Sequence, residues 1–161
     1  MVCGAQGAGF IEFARNDIAW TNWAGVYLAQ ESSYKTYGSF DLRVLENTIR
    51  HANLIGSHDG MLVYSSDPEL SNRSLTFGEV PNRVERVTIE NNTVAFTAKG
   101  IGNGFGIEIR ASVDNGQVLD NALRGNRPPQ LVCAATHFKC QNEQFTQLAT
   151  TSTFDEETAD V

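Results

Sequence analysis

The stretch Phe105-Gly106-Ile107-Glu108-Ile109-Arg110-Ala111-Ser112-Val113 decides the reading of the fold. Phe105, Ile107, Ile109, Ala111 and Val113 alternate one for one with Gly106, Glu108, Arg110 and Ser112. Successive side chains of an extended strand point to opposite faces, so this period of two implies one dry face and one wet face. Asp114-Asn115-Gly116 follows. Asn and Gly both accept positive φ, so the tripeptide predicts a hairpin turn, with 117–123 returning as an antiparallel partner.

The flanking chain carries similar signals. Residues 84–90 are rich in β-branched side chains, Glu90-Asn91-Asn92 supplies a turn, and Val94, Phe96 and Ala98 alternate beyond it. This predicts a second hairpin, with a bulge near Glu85 where the alternation breaks. Upstream, 20–29, 39–45 and 61–65 read as strands; so do 75–80, 131–138 and 145–153. Leu42, Leu45, Ile49 and Ala52 would also share one face of a helix capped by Asp41, but Phe40, Leu42 and Val44 alternate cleanly and favour a strand. The sum is an all-β fold, an antiparallel β-barrel or β-sandwich of about nine or ten strands, with room for one short helix. Long helical patterns between strands are missing, which argues against βαβ units. No repeat is legible at the period of a solenoid.

A chain of 161 residues, 41% hydrophobic, fits one domain with its own core, assigned here to 8–154. Net charge is −7, with Asp155, Glu156, Glu157 and Asp160 gathered in an acidic tail over 155–161. No Lys/Arg stripe balances it, so nucleic acid is excluded as a partner class. No apolar run reaches the roughly 18–20 residues of a membrane-spanning helix. At the other end, Ala5-Gln6-Gly7 fits the small-x-small pattern before a signal-peptidase site. Residues 1–7 are therefore read as a signal-peptide remnant and the protein as secreted or periplasmic, with a cytoplasmic location as the alternative. Cys133 and Cys140 form an even pair that an oxidising compartment would join as a disulfide; two buried thiols are the other reading.

Motifs for chemistry are sparse. Gly100, Gly102, Gly104 and Gly106 resemble a phosphate loop in spacing, but a strand pattern follows them where such a loop needs a helix. His51, His58 and His137 show no zinc spacing, and no metal or cofactor is expected. Ser57-His58-Asp59 holds the residue types of a hydrolase triad, yet adjacent side chains diverge and cannot assemble one. His58 with Asp59 could still serve as base and orienter if their loop lines a cavity. Glu108 with Arg110 could act if their face does.

Trp20, Trp23, Tyr27, Tyr34, Tyr37 and Phe40 fall within 21 residues. Tyr and Trp pair an apolar body with a polar tip, which suits binding surfaces as well as cores. Trp20, Trp23, Tyr27, Tyr34 and Tyr37 are thus the candidate ligand-binding residues. The expectation is a small exported, non-catalytic binding module for an apolar small ligand or a protein partner. The alternative is a small β-barrel enzyme (a cyclase, isomerase or hydrolase) that uses His58, Asp59, Glu108 and Arg110 at an apolar pocket.

Overall fold

The computed structural model describes residues 3–5, 9–31, 38–65, 83–100, 103–135 and 137–141. The strands expected over 75–80 and 145–153, the acidic tail, Tyr34 and Tyr37 lie outside the described residues.

Every strand pairing is parallel, and the strands form three sheets. Sheet A holds β1 (Cys3–Ala5), β4 (Val26–Gln30), β7 (Met61–Ser65), β10 (Ile107–Ile109) and β13 (Leu131–Cys133) in that order. Sheet B holds β2 (Gly9–Ala14), β5 (Phe40–Leu45), β8 (Glu85–Glu90), β11 (Asp114–Leu119) and β14 (Phe138–Gln141). Sheet C holds β3 (Asp17–Ala19), β6 (Thr48–Arg50), β9 (Thr93–Ala95) and β12 (Ala122–Arg124). The chain visits A, B and C in turn, then re-enters A one strand further along. Stacked coils of this kind make a parallel β-helix.

The antiparallel barrel or sandwich expected from the sequence is therefore wrong in strand direction and in architecture, and the described residues contain no helix. Alternation reports only which face a side chain takes, and it is the same in parallel and antiparallel strands. A parallel pair needs a long crossover, usually helical. Here the crossover is the path through the other two sheets, so missing helical patterns exclude nothing.

The turn signals were real but bend the chain differently. Asp114, Asn115 and Gly116 lie inside β11, where Asn115 at φ 50° kinks the strand without reversing it. Phe10, Asp41 and Arg86 hold the same left-handed backbone in β2, β5 and β8, with φ of 57°, 54° and 52°. The irregularity expected near Glu85 is this kink, repeated coil after coil. Asn91-Asn92 makes the corner from sheet B to sheet C.

The alternation holds over β10, where Ile107 and Ile109 are fully buried while Glu108 and Arg110 point outward, but not over the nine residues expected. Ala111, read as inward, is exposed where Ala111-Ser112 turn the chain from sheet A to sheet B, and Gly106, read as outward, is buried. In-register side chains of successive coils form aliphatic stacks. Val26, Met61, Ile107 and Leu131 make one, and Leu28, Val63, Ile109 and Cys133 another. Ile18, Ile49, Val94 and Leu123 line sheet C. Each fully buried Val, Leu, Ile or Met contributes about 1.5–3 kcal/mol relative to exposure. These stacks fill the space that a barrel would leave as a lumen.

Two corners are built from the sequence directly. Asn16, Asn47, Asn92 and Asn121 follow left-handed residues at the B-to-C corner, and the carboxamide nitrogen of each of the first three donates to the side-chain oxygen of the next at 2.9–3.0 Å. Gly60 sits at the entry to sheet A, where a Cβ would lie 2.4 Å from Val94 Cγ1 and 2.6 Å from the Gly106 carbonyl oxygen. Only glycine admits that approach. At the far end, the disulfide Cys133–Cys140 joins β13 to β14, as the spacing suggested.

Candidate functional site

The outer face of sheet A carries a polar cluster. Strand parity places Tyr27 of β4 and Tyr64 of β7 outward, between the buried positions on either side. Glu108 of β10 shares a register row with Leu62 and Tyr27. Ile109 pairs with Val63, so Arg110, the next residue, comes to lie beside Tyr64. Its guanidinium sits 5.2 Å from the Tyr64 ring centroid and donates to Glu108 Oε2 at 3.3 Å. Beyond the end of β4, Glu31 Oε1 accepts from both phenols, Tyr27 at 2.5 Å and Tyr64 at 2.6 Å. Burial, then the hydrogen bonds to Glu31 and Tyr64, hold the Tyr27 hydroxyl protonated well above the ordinary phenol range.

His58 and Asp59 enter from the turn before β7. Asn53 shapes that turn: its Oδ1 accepts the His58 N–H at 2.6 Å and its Nδ2 donates to the Ala98 carbonyl at 2.9 Å. The His58 ring lies edge-on to Trp23 at 5.2 Å and tilted against Tyr27 at 5.9 Å. Burial lowers the His58 pKa, and the Arg110 charge lowers it further, so the neutral imidazole is favoured.

Asp59 is fully buried. Its Oδ1 accepts the N–H groups of Gly104 and Phe105 at 2.9 and 3.0 Å. No donor among the described residues reaches Oδ2, and its hydrogen-bonding neighbour is the Glu108 carboxyl. A second carboxyl nearby disfavours ionisation of the first. Burial, then that contact, pushes Asp59 up to about 7, against the opposing pull of the two N–H groups. The site therefore holds a buried carboxyl, Asp59, that favours its protonated form, an imidazole that favours its neutral form, two phenols on one carboxylate and an arginine at the rim. Among the described residues, no three His, Cys, Asp or Glu side chains group as a metal site.

The structure brings together Trp23 and Tyr27 from the candidate binding residues with all four candidate catalytic residues, His58, Asp59, Glu108 and Arg110. Trp20 is elsewhere. It lies at the C-to-A corner, 66% exposed, flat against His51 with ring centroids 4.2 Å apart. Glu31 and Tyr64 belong to the cluster but were not identified from the sequence. The parity of 61–65 was enough to put Tyr64 on the wet face; Glu31 follows its strand and carries no periodic signal.

Coils of three parallel sheets, with a polar cluster on one of them, define this chain as a parallel β-helix. Among solved structures it is similar to the A-module of the mannuronan C-5 epimerase AlgE4 from Azotobacter vinelandii, with a TM-score of 0.57 and 18% sequence identity. The alignment covers 83% of this chain and 31% of that one, so the chain spans about a third of the length of the protein it resembles. The likeness is one of fold. No family model and no curated protein matches the sequence.

Proposed function

We propose that this chain is a carbohydrate-active β-helix whose sheet A face moves a proton at a ring carbon beside a carboxylate in an acidic polysaccharide. The observation that carries this reading is the fully buried Asp59 carboxyl, its Oδ1 held by the Gly104 and Phe105 N–H groups, on the same face as His58, Glu108 and the Arg110 guanidinium. Removing a proton beside a carboxylate needs a base, a cation on the carboxylate and an acid to meet the developing charge. His58 is the base, Arg110 binds the carboxylate, and protonated Asp59 is the acid. Delivery of the acid's proton to the opposite face of the carbon inverts it; alternatively, the electron pair left on the carbon expels the neighbouring glycosidic oxygen, which takes the acid's proton and leaves as a hydroxyl, giving an unsaturated sugar. The mannuronan epimerase of similar fold is consistent with this class of reaction. The disulfide supports export, since such bonds persist in oxidising compartments.

A second reading, glycan binding without chemistry, draws on Trp23, which is 50% exposed beside His58 and offers a stacking platform. One experiment separates the two. The full chain is incubated in heavy water with oligomannuronate, oligoguluronate and oligogalacturonate. Catalysis predicts deuterium at the ring carbon beside the carboxylate, or an unsaturated product, with a loss of at least about 100-fold in His58→Ala. Binding without deuterium uptake or product overturns the catalytic reading and leaves the binding one.

A further inference from the structure

The outer face of sheet B carries a groove of about 740 Å³ that none of the sheet A residues touches. Two rows of side chains run along it, one per coil and thus about 4.8 Å apart. The first row is the kinked column Phe10, Asp41, Arg86 and Asn115. The second, in register across β2, β5, β8 and β11, is Glu12, Arg43, Thr88 and Gln117.

Three features describe what fits. First, the groove's bases are paired: Arg86 forks onto Asp41 at 2.8 and 3.1 Å, and Arg43 reaches Glu12 at 3.9 Å. Arg86 also donates to Glu85, so the two bases are paired with three acids, Glu12, Asp41 and Glu85, and the face offers no positive field to a polyanion, while the guanidinium and carboxylate groups keep spare donors and acceptors for hydroxyls. Second, Phe10 is 81% exposed, at φ 57°, with its ring edge-to-face with Phe40 at 5.3 Å. A left-handed backbone costs a non-glycine residue roughly 1–2 kcal/mol, and here a large ring is also left in water. That combination marks a stacking platform at one end of the groove. Third, β5, β8 and β11 are paired on both flanks, so along most of the groove the backbone is not free to add a peptide strand; among the described residues only β2, at the Phe10 end, is paired on one side alone.

We infer that this face is a second site, which holds a neutral glycan chain lying across the strands with its rings following the coils and one ring face on Phe10. This does not rest on the sheet A reading. The test is amide chemical-shift mapping of the full chain with cellohexaose, mannohexaose and laminarihexaose, and with hexamannuronate as the acidic control. At least one neutral hexasaccharide is expected to shift amides of β2, β5, β8 and β11. Phe10→Ala is expected to weaken that binding up to about tenfold, the worth of one stacked ring, and Gln117→Ala to weaken it as well. Both positions are outside the core, so folding is retained. His58→Ala is expected to leave it unchanged, which separates this site from sheet A. No shift with any of the three neutral sugars overturns the inference. So does a preference for hexamannuronate on these strands, or binding unaffected by both substitutions.

Discussion

Asn47 donates its side-chain N–H to Asn92 Oδ1 at 3.0 Å, although the two residues stand 45 apart in the chain. Asn92 Oδ1 also accepts the Asn47 backbone N–H at 2.8 Å, and Asn92 Nδ2 donates to the Val44 carbonyl at 2.9 Å and to Asn121 Oδ1 at 2.9 Å. One buried carboxamide thus satisfies the backbone of one coil and links it to the next.

Asn92→Ala strands the Asn47 N–H and the Val44 carbonyl inside the fold. Each orphaned buried group costs about 1–3 kcal/mol, so a loss of roughly 3 kcal/mol or more is expected in urea unfolding. Asn16→Ala serves as the comparison. Among the described residues Asn16 stands first in the ladder, part-buried, donating to Asn47 Oδ1 and to the Ala14 carbonyl. If Asn92→Ala costs no more than Asn16→Ala, the ladder is not a stabilising element.

The same asparagines explain what the sequence concealed. They are spaced 31, 45 and 29 residues apart, because the segments joining sheet A to sheet B and sheet C to sheet A differ in length from coil to coil. A fixed period therefore never appears, and the repeat stays hidden although its marker residue is constant. What alternation could deliver, it did: Ile107 and Ile109 inside, Glu108 and Arg110 outside. It could not give strand direction, because that depends on which coil lies alongside. Nor could it show that Asp59 meets Glu108. That contact requires the register that sets Met61 beside Ile107, and register is settled by the stacking of inward side chains across coils. The strand expected over 20–29 begins only at Val26, so Trp20 and Trp23 lie outside any strand and both are exposed.

The disulfide Cys133–Cys140, with a sequence separation of 7, closes the last described coil. That coil is paired on one side only, β13 with β10 and β14 with β11. Replacing both cysteines with Ser removes a short covalent loop, for which chain entropy gives about 2 kcal/mol. The loss is expected to be local. Hydrogen exchange should speed up over 131–133 and 138–141, while amides of β5 and β8, paired on both sides, keep their protection. Equal acceleration throughout would mean that the bond supports the whole stack.

Asp59 makes the pH dependence specific. Burial and the Glu108 carboxyl raise it from the ordinary 3.8 to about 7. Between those values the folded protein keeps a proton that the unfolded chain has released. Stability therefore falls as pH rises from about 4 to about 7, and levels off above that. Asp59→Asn retains an oxygen for the Gly104 and Phe105 N–H groups and offers Glu108 a donor in place of the Asp59 proton. The variant should lack the decline that Asp59 causes. Urea unfolding across this range should show the difference between variant and wild type growing in the variant's favour by on the order of 1 kcal/mol per pH unit. Parallel curves from pH 4 to 7 would show that Asp59 ionises normally. The acid assigned to the sheet A site would then have to come from another group.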